Sequence, residues 1–242
     1  MKMPYQRWSR WLVLVAIPLT VCAALHPVNS GVLRLITISA GMSILLALLL
    51  WNWRNRFWRT LVIGCVCIGL LPLTLPTRPV NVADLRSDYL DSLSNLENTR
   101  YHWGGETHTG IDCSGLPRRA LQQAMLRQGF KQFNGGLIRR ALFHWWFDAA
   151  ADALAGGHRG YTVALNREGT IRTMDYEGLE PGDFAITGDR EHLIVYLGGE
   201  QWIQADPGTG RVITLNGHQD DNLWFHSPVT LHRWAILAPT DS

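Results

Sequence analysis

A cysteine at the start of a predicted helix is the residue of this sequence best placed for nucleophilic chemistry. Cys113 lies in the loop of residues 110–115, and a helical stretch begins near Ser114. Unpaired backbone N–H groups and the positive end of a helix dipole stabilise a thiolate, so we expect a lowered pKa for this thiol. The same N–H groups would face an oxyanion formed by attack on a carbonyl. A small buried core residue is the alternative interpretation.

A histidine and a glutamine on neighbouring predicted strands are the candidate partners of this thiol. His192 opens a buried-strand pattern, and Gln204 is a polar side chain within the next predicted strand, residues 201–205. Pairing across the Gly198-Gly199 turn brings the two side chains together, so the amide oxygen can accept the imidazole N–H. The spacing therefore permits a Cys113–His192–Gln204 arrangement, with the imidazole as base and the amide orienting it.

Other chemistry-bearing residues give weaker patterns. The nine histidines form no His-x-x-x-His or Cys-x-x-Cys motif, so we predict neither a metal site nor a cofactor. His102 and His108 either line the cleft near Cys113 or lie exposed on a loop. Glu106 and Asp189 are candidates for contacting a positively charged substrate group, with solvation at the surface as the alternative.

Residues 79–242 read as helices followed by short strands, which predicts an α+β domain with an antiparallel sheet. Apolar spacing predicts helices over residues 81–98, 114–128 and 137–155. Turn signals separate predicted strands over residues 161–165, 170–174, 184–187, 192–197, 201–205, 211–215 and 229–237. The first two of these strands flank Asn166-Arg167-Glu168-Gly169, which predicts a hairpin.

Residues 1–78 read as a membrane region. Residues 11–33, 35–53 and 60–77 contain no Lys, Arg, Asp or Glu, and a span needs about 20 helical residues. We predict three transmembrane helices, at roughly residues 11–30, 33–53 and 58–76. Tryptophans mark the ends of the runs, as expected for rings that favour the headgroup region. These are Trp8, Trp11, Trp51, Trp53 and Trp58.

Charge sets the expected orientation and excludes one class of partner. Residues 1–80 carry eight basic residues and no acid, which leaves 14 basic residues against 20 acids in the remainder and argues against nucleic-acid binding. The loop between the first and second predicted spans holds a single basic residue, Arg34. The segment before the first span and the loop between the second and third spans each hold three basic residues. These residues are Lys2, Arg7, Arg10, Arg54, Arg56 and Arg59. The positive-inside rule then places the N-terminus in the cytoplasm and the C-terminal domain outside it.

Two alternatives to this topology stay open. Residues 1–21 have the basic start and apolar middle of a cleaved signal peptide. The third run contains Gly64, Gly69 and Pro72, and a two-span protein would keep its C-terminal domain in the cytoplasm.

The successive motifs of the C-terminal domain resemble those of the NlpC/P60 cysteine peptidases, in the family's order, over roughly residues 87–237. The motifs are Tyr101-x-Trp103-Gly104-Gly105, Asp112-Cys113-Ser114-Gly115, Leu179-x-Pro181-Gly182-Asp183, His192-x-x-x-Tyr196-Leu197-Gly198 and Trp202-Ile203-Gln204-Ala205. The resemblance implies a papain-like α+β fold and an enzyme that cuts peptidoglycan stem peptides, typically at γ-D-glutamyl bonds.

The resemblance also implies roles for individual residues. Cys113 would be the nucleophile, His192 the general base and acid, and Gln204 the orienting residue. Tyr101 and Trp103 would lie beside the oxyanion and substrate sites, and Asp112 and Ser114 would help to recognise the substrate.

The chain departs from the family pattern at two points. The third catalytic position is more often His, so Gln204 orients the ring without adding charge. The 79-residue separation of Cys113 and His192 is longer than usual, which predicts an inserted helical segment at about residues 130–160. The apolar helix expected at residues 137–155 would be core, a cleft wall or lid, or a contact with a membrane or partner.

The sequence therefore predicts a multi-pass inner-membrane hydrolase that acts on peptidoglycan peptides through a thiolate–imidazole acyl-enzyme mechanism. Its catalytic domain would face the periplasm or cell exterior, and its partners would be the peptide substrate and the bilayer. A membrane-associated acyltransferase, thioesterase or lipid hydrolase with the same Cys/His pair is one alternative. An inactive scaffold is another, and a membrane-protein partner or inhibitor is left open.

Overall fold

The computed structural model describes the backbone of residues 4–51 and 53–239, and their side chains except those of residues 4–10 and 24. The side chains of four residues predicted to flank the first span lie outside this description: Lys2, Arg7, Trp8 and Arg10.

Three apolar helices open the chain: α1 (Pro4–Leu25), α2 (Gly31–Trp51) and α3 (Arg56–Thr74). Among the described residues, α2 and α3 are long and apolar enough to cross a membrane, and α1 contributes the shorter apolar stretch Trp11–Ala23. The first span predicted at residues 11–30 extends too far. The helix ends at Leu25 because a residue that precedes proline, here His26 before Pro27, is disfavoured in helical conformation.

The helices of the C-terminal domain begin at side-chain caps where the sequence offers them. They are α4 (Val82–Ser94), α5 (Gly115–Lys131), α6 (Gly135–Trp146) and α7 (Ala151–Ala155). Asn81 caps α4 and Asn134 caps α6, each accepting hydrogen bonds from two backbone N–H groups of the first turn.

The single helix predicted over residues 137–155 is wrong, because the chain breaks between α6 and α7. Phe147 leaves the helical region at φ −108° and ψ 79°. Two side chains from other parts of the chain donate hydrogen bonds to backbone carbonyls at this break: Arg34 donates to Trp146 O at 2.7 Å, and Tyr161 donates to Phe147 O at 3.1 Å.

In the part of the chain that the structure describes, eight strands form two antiparallel sheets. The small sheet pairs β1 (Glu106–Thr107) with β2 (Gly110–Ile111). The large sheet contains β3 (Thr162–Thr170), β4 (Phe184–Thr187), β5 (Leu193–Gly198), β6 (Gln201–Asp206), β7 (Arg211–Asn216) and β8 (Pro228–Trp234). The order is β3-β8-β4-β5-β6-β7, so the meander β4 to β7 carries the strands on which the candidate site depends.

The hairpin predicted over residues 161–174 is also wrong. Residues 162–170 form one strand, β3, and both of its halves pair with β8 around a register shift between Ala164 and Glu168. Asn166 has φ +52° within this bulge, so its left-handed conformation kinks the strand instead of reversing it.

The large sheet has a buried core on each face. Along β5, Leu193 and Val195 point toward α4 and α5, whereas Ile194 and Tyr196 point to the opposite face, as the two-residue period of a strand requires. Cys113 belongs to the cluster on the helical face. The structure thus confirms the predicted α+β class, with helices packed on an antiparallel sheet.

Candidate active site

Cys113 lies at the entrance to α5, packed against the start of β5. Its side chain is buried, and its thiol donates to Glu191 O across 3.5 Å. The backbone N–H of Leu193 also faces the sulfur. The thiol therefore sits between the two residues that flank His192.

His192 and Gln204 meet as the sequence predicts, with Nε2 of the ring 2.6 Å from Oε1 of the amide. Both side chains are buried. The backbone of His192 is fixed by Thr187, whose Oγ1 accepts from the His192 N–H at 3.0 Å and whose N–H donates to His192 O at 3.1 Å. Because Gln204 Oε1 only accepts, Nε2 carries the proton, and Nδ1 is left with the lone pair of a base.

Trp224 is a residue of the site that the sequence analysis missed. It lies on a short 3-10 turn, Leu223–His226, and its ring stacks on the His192 imidazole with centroids 4.1 Å apart and planes 19° apart. A single tryptophan in a loop offers no periodicity or motif to mark it. The stack covers one face of the imidazole and leaves its edge for hydrogen bonding.

Burial dominates the electrostatics of both reactive groups. It raises the pKa of the Cys113 thiol to about 12, with the Asp112 carboxylate adding to the rise and the N–H groups of Leu193 and Ser114 opposing it. Burial also lowers the pKa of His192, against the Gln204 hydrogen bond. The lowered thiol pKa expected from the helix N-terminus is therefore wrong for this state, because desolvation outweighs the backbone N–H groups. At neutral pH the pair is a thiol and a neutral imidazole.

Asp112 organises the loop before Cys113. Its Oδ2 accepts from Gly104 N at 2.9 Å, and its Oδ1 accepts from Ser114 Oγ at 3.1 Å and from Gly115 N at 2.6 Å. The carboxylate thus caps α5 and ties the glycine loop to it. Ser114 is buried and bonded to Asp112, so both residues have internal partners at the positions predicted for substrate recognition.

Tyr101 and Trp103 lie in the segment before β1, where Tyr101 forms an isolated bridge with Ile111. Tyr101 is half-buried, and its N–H donates to Gly210 O at 2.8 Å. Burial raises its pKa to about 12, with the charges of Cys113 and Asp112 adding to the rise, so the phenol keeps its proton and is a donor. Trp103 is 76% exposed and offers an open ring surface.

The loop histidines are exposed. His102 Nδ1 contacts Trp103 O at 3.0 Å, and His108 Nε2 contacts Gln123 at 3.2 Å. Within residues 4–51 and 53–239, no group of three His, Cys, Asp or Glu side chains is arranged to hold a metal ion.

The two acidic candidates differ in environment. Asp189 is exposed and accepts from Thr187 Oγ1 at 2.5 Å, so it orients the threonine that holds His192. Glu106 is 2% exposed and contacts Arg118 at 3.2 Å and Arg34 at 3.6 Å. Neither predicted role fits Glu106, because its carboxylate is an internal ion-pair partner, neither solvated nor facing a substrate.

Comparison with known proteins places the site in a family context. A relative from Escherichia coli strain K12, Murein DD-endopeptidase MepS/Murein LD-carboxypeptidase, is 26% identical over 135 residues, which cover 56% of this chain and 57% of that protein. The chain thus spans little more than half the length of the curated relatives it matches.

Solved structures give a looser likeness. The peptidoglycan hydrolase RipB of Mycobacterium tuberculosis matches with TM-score 0.38 and 19% identity over 71% of this chain and 79% of that one. The P60 domain of a Mycobacterium avium subspecies paratuberculosis antigen matches with TM-score 0.40 and 16% identity over 66% of this chain and 100% of that one. At these TM-scores the two likenesses add nothing to the sequence match.

The family assignment comes from a match to a sequence model of the family. The sequence model of the NlpC/P60 family matches residues 98–225, more than half of the chain. That range contains Cys113, His192 and Gln204 together with the loop that Asp112 organises. The chain belongs to the NlpC/P60 family.

Proposed function

We propose that this chain is a membrane-anchored cysteine peptidase that cleaves peptide bonds in peptidoglycan stem peptides. One observation carries the proposal: the 2.6 Å bond between His192 Nε2 and Gln204 Oε1, beside a thiol that contacts Glu191 O and Leu193 N–H. Membership of the NlpC/P60 family and the likeness to the Escherichia coli protein named as a murein endopeptidase support peptidoglycan as the substrate.

The proposed mechanism gives each group of the site a role. As substrate binds, Nδ1 of His192 takes the thiol proton while Cys113 Sγ attacks the carbonyl carbon. The resulting oxyanion lies beside the N–H groups at the start of α5 and the Tyr101 hydroxyl. The imidazolium then gives its proton to the leaving amine, the C–N bond breaks, and a thioester remains on Cys113. A water molecule, deprotonated by His192, attacks the thioester and releases the acid and the thiol.

The scissile bond is proposed to be γ-D-glutamyl, by resemblance to the family. The exposed Trp103 ring offers a surface for the peptide, and the Asp112–Ser114 pair lies at the base of the same loop. These two residues would recognise a substrate amine only by exchanging part of their internal bonding. Because an amine bound in this way would add to the affinity of the substrate, we expect a stem peptide with a free amine to be a better substrate than one with a blocked amine.

The contacts of the helix ends support a catalytic domain outside the cytoplasm. The loop between α1 and α2 bonds the domain through Pro27 O and Glu106 N at 3.0 Å. The C-terminal end of α3 bonds it through Pro76 O and Gly135 N at 3.1 Å. We place these helix ends on one side of the membrane and the basic segment of residues 53–59, at the start of α3, on the other side, which the positive-inside rule makes cytoplasmic.

The test uses the full chain in detergent, defined muropeptides and mass spectrometry, with Cys113→Ala as the matched control. We expect a new fragment with the wild type alone, and its mass identifies the bond. Equal cleavage by both proteins would refute the nucleophile. Absence of any fragment, with Cys113 still reacting with an alkylating agent, would refute the peptidase and favour the alternative of lipid or thioester substrates. A reporter fused after Ser242 should be active only in its extracytoplasmic form; activity of a cytoplasmic reporter there would refute the topology.

A further inference from the structure

An arginine of the membrane region is buried in the catalytic domain. Arg34, in the first turn of α2, is 1% exposed. Its guanidinium donates to Trp146 O at 2.7 Å, to Asn29 O at 2.5 Å and to Asp148 Oδ2 at 3.0 Å, and it lies 3.6 Å from Glu106 Oε2. An arginine so completely enclosed is held in place, because its removal would leave the buried Glu106 carboxylate without this partner and away from water.

Glu106 joins this arginine to the catalytic domain. It lies on β1, inside the catalytic loop that we define as residues 104–113, and Arg118 of α5 contacts its other oxygen at 3.2 Å. Gln122 and Asn29 donate to the same carboxylate at 2.9 and 3.0 Å. The cluster pairs two guanidinium groups with two carboxylates, those of Glu106 and Asp148, so its charges balance.

Backbone bonds run from the membrane region to the nucleophile. The N–H of Glu106 donates to Pro27 O at 3.0 Å, and Val28 bridges Gly105 in antiparallel fashion. Gly105 O in turn accepts from the N–H of Asp112 at 3.0 Å, one residue before Cys113.

Glycines make this approach close. A Cβ on Gly105 would lie 2.5 Å from Gly110 O, and a Cβ on Gly110 would lie 2.8 Å from Pro27. The loop of residues 26–30 and the catalytic loop are therefore in direct contact and have little room to shift independently.

We propose that Arg34 is a positioning residue for catalysis, which acts through Glu106 to hold the catalytic loop, so that the membrane region forms part of the active-site scaffold. The proposal rests on the proposed function for the role of Cys113. It adds that the catalytic domain depends on the α1–α2 loop for the placement of its nucleophile.

A second arginine provides a matched comparison. Arg139 also links the membrane region to the catalytic domain, donating to Leu73 O at 2.7 Å, to Leu75 O at 2.9 Å and to Thr77 Oγ1 at 2.8 Å. It is exposed and bonds no residue of the catalytic loop among the described residues. Loss of Arg139 therefore weakens the attachment of α3 to α6 without disturbing Cys113.

The test compares hydrogen exchange and kinetics of the full chain in detergent, for the wild type, Arg34→Ala, Arg34→Lys and Arg139→Ala. In Arg34→Ala we expect faster deuterium uptake in the catalytic loop, notably at the amides of Glu106 and Asp112. We also expect kcat on muropeptides to fall by about 10- to 100-fold with KM little changed, because a small displacement of a nucleophile has that cost.

The comparison variants decide the interpretation. Arg34→Lys retains the charge but not the planar guanidinium group, so kcat should fall less than in Arg34→Ala. Arg139→Ala should match the wild type in both deuterium uptake and kcat. Wild-type uptake and kcat in Arg34→Ala, or an equal loss of kcat in Arg139→Ala, would overturn the proposal.

Two further variants keep the test decisive. If Arg34→Ala does not fold, Asn29→Ala provides the test, because it removes one hydrogen bond to Glu106. It should give a smaller fall in kcat and a smaller rise in uptake, whereas wild-type behaviour would count against the proposal.

Cys113→Ala separates this inference from the proposed function. Should that variant cleave normally, the nucleophile assignment fails, while the uptake comparison still decides the role of Arg34.

Discussion

His192 Nε2 and Gln204 Oε1 lie 2.6 Å apart, and this hydrogen bond determines which ring nitrogen carries the proton. An amide oxygen accepts but cannot donate, so the proton stays on Nε2 and the lone pair on Nδ1. Because glutamine carries no charge, it orients the imidazole with little electrostatic stabilisation of the imidazolium. In the mechanism that we propose, the reaction depends on the geometry of the ring more than on the charge of its partner.

Replacement of Gln204 by glutamate tests this division between orientation and charge. A carboxylate at this position would stabilise the imidazolium and raise the pKa of His192, which burial now lowers. The base would then lose its proton only at higher pH, so the acidic limb of the kcat/KM profile should move upward. Gln204→Ala should lower kcat by about 10- to 100-fold, since orientation is only part of general acid–base catalysis. An unshifted acidic limb in Gln204→Glu would contradict the account.

The reactivity of Cys113 should reflect a buried thiol. With its pKa raised to about 12, the alkylation rate should climb about tenfold for each pH unit from pH 7 to pH 10. Free cysteine, with a pKa of about 8.5, should level off within that range. Peptide mass spectrometry distinguishes Cys113 from Cys22, Cys65 and Cys67. A plateau below pH 8 would instead indicate a thiolate already formed in the resting enzyme.

Trp224 should control both the position and the acidity of His192. In Trp224→Ala one face of the ring becomes exposed, so the pKa of His192 should rise toward its ordinary value and the acidic limb of kcat/KM should move upward. We expect kcat to fall about tenfold as the ring gains freedom. Trp224→Phe keeps an aromatic stack and should remain close to the wild type. If both variants behave alike, stacking is not what holds the imidazole.

The ion pair between Asp183 and Arg233 should set stability and leave the chemistry unchanged. Both side chains are buried, and the guanidinium makes two bonds to the carboxylate, at 2.6 and 2.8 Å. Asp183→Asn should cost about 3–5 kcal/mol and lower Tm by about 6–20 °C. Thermal unfolding of the full chain in detergent measures this.

The control for this pair is Glu180→Gln, because Glu180 also contacts Arg233, at 3.1 Å, but is 43% exposed. Its loss should lower Tm by at most about 4 °C. Equal shifts in the two variants would show that burial does not determine the strength of this pairing.

The sequence predicts the parts of the site that depend on local motifs and strand register. The register of β5 and β6 follows from the short turn that joins them, so Gln204 could be placed near His192 from spacing alone. Likewise, the loop-to-helix junction at Cys113 is a local feature. The wrong hairpin predicted over residues 161–174 came from reading residues 166–169 as a turn, whereas β8, about 60 residues later in the chain, supplies the pairing partner of β3.

Features set by long-range packing were beyond the sequence analysis. Glu106 looks like a surface residue until folding brings Arg34 and Arg118 to it from 72 and 12 residues away. The pKa of Cys113 depends on how much of the domain covers the sulfur, which no local pattern reveals. Trp224 reaches His192 only because the chain returns from β7 to the edge of the site.

Trapping of the covalent intermediate tests the central claim most directly. The full chain in detergent is mixed with a defined muropeptide, quenched in acid within the first turnovers, digested and analysed by mass spectrometry. We predict that the peptide containing Cys113 carries the added mass of the acyl part of the substrate, and that Cys113→Ala forms neither adduct nor product. Product formed by Cys113→Ala, or an adduct on a residue other than Cys113, would contradict the account.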